Sequence, residues 1–78
     1  MSNEFISRIT VSADICHGKP TIRGSRIMVE TILGHLSAGD SVDDLLEVFP
    51  DIEREDVLAA LAYASLAVNM KGTVLKAA

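Results

Sequence analysis

The chain has no tryptophan, one tyrosine and two phenylalanines, so aromatic rings cannot dominate its core. Isoleucine, leucine, valine, methionine and alanine must fill it instead, a composition that favours helices packed closely on one another. A single cysteine, Cys16, excludes an internal disulfide and the cysteine-pair framework of a small secreted scaffold. No apolar run is long enough to cross a bilayer, and the opening MSNEFISRIT lacks the basic start and apolar stretch of a signal peptide. A soluble, cytoplasmic protein without membrane association is the expectation. The phosphate-binding glycine pattern of nucleotide enzymes is missing as well.

What remains is 78 residues, enough for one domain (residues 1–78), with nearly half of them apolar. A chain this short buries a smaller fraction of its surface than an average domain, and a homodimer would ease that shortage. The net charge of −4 argues against a nucleic-acid binder, because phosphate affinity comes largely from Lys and Arg. The charge is unevenly spread, however. Arg8, Lys19, Arg23 and Arg26 outweigh Glu4 and Asp14 in the first 28 residues, whereas Arg54, Lys71 and Lys76 face nine carboxylates in the rest. A basic front and an acidic body suggest different partners for the two parts, or a meeting of the two across a dimer; two solvated faces is the plainer alternative.

Residues 5–11 are β-branched and partly alternating, with Ile9 and Val11 on one face and Arg8 and Thr10 on the other, which predicts a short strand. Gly18, Pro20 and Gly24 then exclude a helix and predict an ordered loop with extended pieces at Thr21-Ile22 and Arg26-Ile27. This β segment and basic loop occupy residues 5–27. The period changes at Met28: Ile32, Leu33 and Leu36 follow at helical spacing, and Gly39 can take positive φ at the end of the helix near Ser37. Ser41 predicts the N-cap of a second helix with Asp43 and Asp44 in its first turn, a buried stripe of Val42, Leu45, Leu46 and Phe49, and a stop at Pro50. A third helix starts near Glu53 and runs towards Met70, so the helical bundle spans residues 28–70 and leaves a loose tail over 71–78. Ala59, Ala60, Ala62, Ala64 and Ala67 leave this last helix little polar surface, which predicts enclosure by its own bundle or by another subunit.

The run Cys16-His17-Gly18-Lys19-Pro20-Thr21-Ile22-Arg23-Gly24-Ser25-Arg26-Ile27-Met28-Val29 closely resembles the signature of the family called domain of unknown function 433. Ile32-Leu33, Ala38-Gly39, Phe49-Pro50, Glu55-Asp56-Val57 and the alanine-rich stretch to Ala64 look like that family's helical half. The resemblance implies a mostly α fold: a homeodomain-like three-helix bundle of helix-turn-helix type, preceded by a short β segment. It also implies an antitoxin similar to the VapB type, paired with a PIN-like ribonuclease toxin. Residues 69–78 fall outside the recognisable pattern.

Two constellations offer contact surfaces. The helix-turn-helix spacing would present Glu53, Arg54, Glu55 and Asp56 to a major groove, where three carboxylates repel phosphate and Arg54 alone cannot offset them. The loop bearing Lys19, Arg23 and Arg26 is better suited, because a rigid loop loses little entropy on binding and arginine forks match carboxylates and phosphates. Arg23 and Arg26 pairing with Asp14 or Glu30 of the same domain is the competing reading. Cys16 and His17, being adjacent, are poorly placed to share a metal or form a nucleophile and base, and are expected to be a small buried residue and a loop residue. The paired acids Asp43-Asp44 and Glu55-Asp56 are explained by helix dipoles. The expected protein is thus a non-enzymatic, cofactor-free antitoxin-like regulator. Its expected partners are a second copy, a PIN-like toxin and operator DNA, contacted through Lys19, Arg23, Arg26 and Arg54. A stand-alone DNA-binding regulator and a purely structural oligomerisation module are the alternatives.

Overall fold

The change of hydrophobic period near residue 28 becomes the seam between the two halves of the fold. In the computed structural model, which describes residues 4–71, a 3₁₀ helix over Glu4–Arg8 opens the chain. Strands β1 (Ile9–Thr10) and β2 (Thr21–Ile22) follow, then helices α1 (Val29–Ser37), α2 (Val42–Val48) and α3 (Arg54–Lys71). The mostly helical unit with three helices behind a short β segment is therefore present. Most of the expected tail lies outside the described residues, and Lys71 belongs to α3.

The strand expected over residues 5–11 shrinks to two residues. Its first part coils against α3 instead, where Arg8 meets carboxylates of the α3 N-terminus, and tertiary contact of this kind routinely overrides a weak alternating pattern. Ile9 keeps its inward position against the core, but Val11, beyond the end of β1, is exposed. The β pairing is internal to the chain: β1 runs antiparallel to β2, with Ile9 opposite Ile22 and Thr10 opposite Thr21. Thr21 also bridges to Met28, so the extended piece after the loop returns alongside β2.

Helix boundaries follow local chemistry. Ser41 caps α2 reciprocally: Asp44 N–H donates to Ser41 Oγ at 3.1 Å and Ser41 N–H donates to Asp44 Oδ2 at 2.8 Å. The Ser41 N–H, and after it the hydroxyl, pulls the Asp44 carboxyl below its usual pKa. Gly39 takes φ 101° just past α1, and Phe49, ahead of Pro50, leaves the helical region at φ −122°, ψ 80°. His35 ties the α1–α2 corner, with Nδ1 2.7 Å from Asp40 Oδ2 and its ring edge-on to Phe49 at 5.5 Å.

Ile22, Val29, Ile32, Leu45, Ile52, Val57 and Ala60 form the buried core, with Leu33, Leu36, Val42, Leu46 and Phe49 packed partly against it. The stripe expected on α2 is thus in place. On α3 the buried apolar residues are small, Val57, Ala59, Ala60 and Ala62, and Tyr63 packs partly against the core, while Leu58, Leu61, Leu66 and Val68 stay exposed. Among the described residues, the bundle leaves this side of the helix uncovered.

Candidate functional site

β2 and the segment returning towards Met28 form a hairpin whose loop is Arg23-Gly24-Ser25-Arg26. Ser25 N–H donates to Ile22 O at 3.0 Å, closing a four-residue turn, and Gly24 at φ 80° occupies the position where a type II turn requires positive φ. Ile22 N–H donates to Ile27 O, Ser25 Oγ donates to Ile22 O, and Ile27 N–H donates to Ser25 Oγ. Arg23 N–H reaches Arg8 O at 2.7 Å and its guanidinium donates to Ser7 O at 3.3 Å. The loop is therefore held at its base and from one flank, leaving little conformational freedom to lose on binding.

Beside it, residues Cys16–Gly18 make a turn with 3₁₀-type hydrogen bonding, Gly18 N–H to Ile15 O and Lys19 N–H to Cys16 O, but with left-handed torsions. Cys16 has φ 49°, His17 φ 58° and Gly18 φ 84°. For the two residues that carry a Cβ, this conformation costs roughly 1–2 kcal/mol each, and successive left-handed residues are rare. Strain of this kind collects at binding and catalytic sites, where the surrounding structure holds it in place. Here the Cys16 thiol donates to Arg26 O at 3.6 Å, so the strained turn braces the arginine loop. Ile15, Gly24, Ser25 and Arg26 line an open hollow of about 430 Å³ between them. His17→Gly is expected to raise the melting temperature by roughly 4–8 °C, equivalent to about 1 kcal/mol. A lower melting temperature would mean that the imidazole itself stabilises the turn.

The four basic residues singled out in the sequence occupy three different settings. Lys19 Nζ pairs with Glu30 Oε1 at 2.7 Å, which raises the lysine pKa. Arg54, at the start of α3, pairs with Asp43 of α2 at 2.7 Å. Arg23 and Arg26 are both exposed on the hairpin loop, and Arg26 has no ion pair among the described residues. The self-pairing considered for Arg23 and Arg26 is thus found on Lys19 instead, since it is Lys19 that engages Glu30. Cys16 is half-buried, not fully buried, and His17 is an exposed loop residue.

Arg8 has a structural role that sequence reading missed. Its guanidinium donates to Glu53 Oε1 at 2.8 Å and to Asp56 Oδ1 at 3.1 Å, and these bonds, the one to Glu53 foremost, raise its pKa further. Asp56 Oδ2 meanwhile accepts the Glu53 N–H at 2.8 Å, capping α3. The 3₁₀ helix thereby sits against the N-terminus of α3, the end that a DNA-reading helix would need open. Partners more than forty residues apart leave no local signal.

Residues 9–64 match the family described as "Protein of unknown function (DUF433)". Over 56 residues the chain is 38% identical to "Uncharacterized protein y4eO" of Sinorhizobium fredii (strain NBRC 101917 / NGR234), a match covering 72% of this chain and 25% of that protein. The crystal structure of a DUF433 member protein from Anabaena variabilis ATCC 29413 is similar with a TM-score of 0.75 and 28% identity, covering 81% of this chain and 62% of that one. The chain thus spans a quarter of the curated relative's length and under two thirds of the solved structure's. The matched span contains the left-handed turn, the arginine loop and the first part of α3.

Proposed function

The chain belongs to the DUF433 family, a family of unknown function, and we propose that it is an antitoxin-like binding protein that neutralises a partner by steric cover. In this reading it performs no chemistry of its own and works in the cytoplasm. Arg23 and Arg26 engage acidic groups of the partner, and Ile15 and Gly24 around the hollow accept an apolar side chain. The observation that carries the proposal is Arg26, an exposed arginine without an ion pair among the described residues, on a loop tied down by hydrogen bonds and braced by a strained turn. A planar guanidinium carried on such a loop suits bidentate recognition of carboxylates. The metal-binding acids of a PIN-like ribonuclease are such a target.

Direct reading of DNA by α3 is not part of the proposal. Its first turn carries Glu55 and Asp56, Arg54 is held by Asp43, and Arg8 covers Glu53 and Asp56. Operator DNA would contact the complex through surfaces other than the arginine loop, which the toxin covers.

The test is retention of a partner from the native cytoplasm by tagged wild-type chain and by an Arg23→Ala/Arg26→Ala variant, at low salt, with intact-mass analysis and circular dichroism as the fold control. The wild type is expected to retain a stoichiometric small protein with nuclease character. Removing one arginine from a charge pair buried in an interface costs about 2–5 kcal/mol, so the variant is expected to bind at least ~30-fold more weakly. Equal retention by both would refute the loop assignment. Absence of any partner, together with salt-steep binding to upstream DNA, would favour a stand-alone DNA-binding regulator.

A further inference from the structure

The three leucines of α3 all point away from the core. Val57, Ala59 and Ala60 face the core, whereas Leu58 is 39%, Leu61 44%, Leu66 44% and Val68 65% exposed. A helix apolar on both faces is one whose second face is covered by something else. Leu58, Leu61, Ser65 and Val68 follow one another at intervals of three, four and three residues, the spacing of a helix-to-helix seam, with Leu66 flanking it.

We infer that this outward face of α3 is a self-association surface, on which the α3 of a second copy packs antiparallel about a two-fold axis. Three features select a second copy. An antiparallel pairing that sets Leu58 opposite Val68 also sets Leu61 opposite the small Ser65, so large side chains meet small ones on both sides of the axis. The same pairing brings the acidic end of one helix, with Glu55, towards the end of the other that closes on Lys71. Antiparallel helices also oppose their dipoles favourably. A two-fold interface uses one patch twice, so it must be complementary to itself, and this face is. The arginine loop takes no part in the seam, so this surface and the proposed toxin contact are independent.

An 18-residue helix is about 27 Å long, so an interface built on it falls towards the small end of the range for specific complexes. The expected dimer is therefore concentration-dependent. Sedimentation equilibrium of the full chain is expected to show reversible dimerisation in the micromolar range. Leu61→Glu is expected to weaken it at least tenfold and to remove the concentration dependence of the melting temperature, while circular dichroism stays unchanged. Leu61→Ser provides a milder second variant should the glutamate impair folding. Val48→Glu, at an equally exposed apolar position on α2, is expected to leave the dimer intact. A wild type that is monomeric at every concentration would overturn the inference and leave the face to a different protein. So would a dimer that survives both Leu61 variants, or one that is lost with Val48→Glu alone.

Discussion

Arg8→Glu is expected to lower the melting temperature by roughly 10 °C or more, an unusually large effect for a residue in a 3₁₀ helix near the chain's start. The guanidinium bridges Glu53 and Asp56, and Asp56 is only 7% exposed. Charge reversal removes the one cation in contact with that carboxylate among the described residues and sets a third acid beside two others. A buried charge left without its partner is among the short list of causes of severe destabilisation. Arg8→Lys keeps the charge but loses the fork that serves two carboxylates at once, so an intermediate loss is expected. A double-mutant cycle with Asp56→Asn separates this pairing from general packing: the two losses should fall well short of additive. A melting temperature unchanged in Arg8→Glu would mean that the 3₁₀ helix does not rest on α3 in solution.

The second large effect belongs to Leu45, which is fully buried at the centre of α2 and joins the core cluster of all three helices and β2. Leu45→Ala is expected to cost about 2–5 kcal/mol, from lost transfer energy and an unfilled cavity. Small domains hold a total of only about 5–15 kcal/mol, with short chains towards the bottom of that range. The variant should therefore be close to its unfolding transition under mild conditions. Val48→Ala, one turn along the same helix and 54% exposed, is expected to change stability by less than about 0.5 kcal/mol. Urea titration of both variants measures the contrast, and similar midpoints would show that α2 is not docked through Leu45.

Helices α1 and α2 were legible because their determinants lie within a few residues of one another. The cap at Ser41, the acids of the first turn, the positive φ at Gly39 and the stop before Pro50 are local chemistry, and local chemistry is written in order along the chain. The arginine loop was legible for the same reason, since Gly24 and Pro20 bar a helix. The strand over residues 5–11 was not, because period-two alternation over so few residues is weak beside the attraction of Arg8 to Glu53 and Asp56. The left-handed turn at Cys16 and His17 was equally hidden: neither residue type demands positive φ, and only the contacts around the turn hold it there.

The sequence by itself determined the class of the molecule, its three helices, the cap of α2, the basic character of the loop and the apolar excess on α3. Each of these depends on composition, spacing or a neighbour close in the chain. Only the tertiary structure decided which cations are paired, that Lys19 and Arg54 have partners while Arg26 has none among the described residues, and which side of α3 faces outward. Ion pairing and burial depend on distances between residues far apart in sequence, and those distances exist only once the chain has folded.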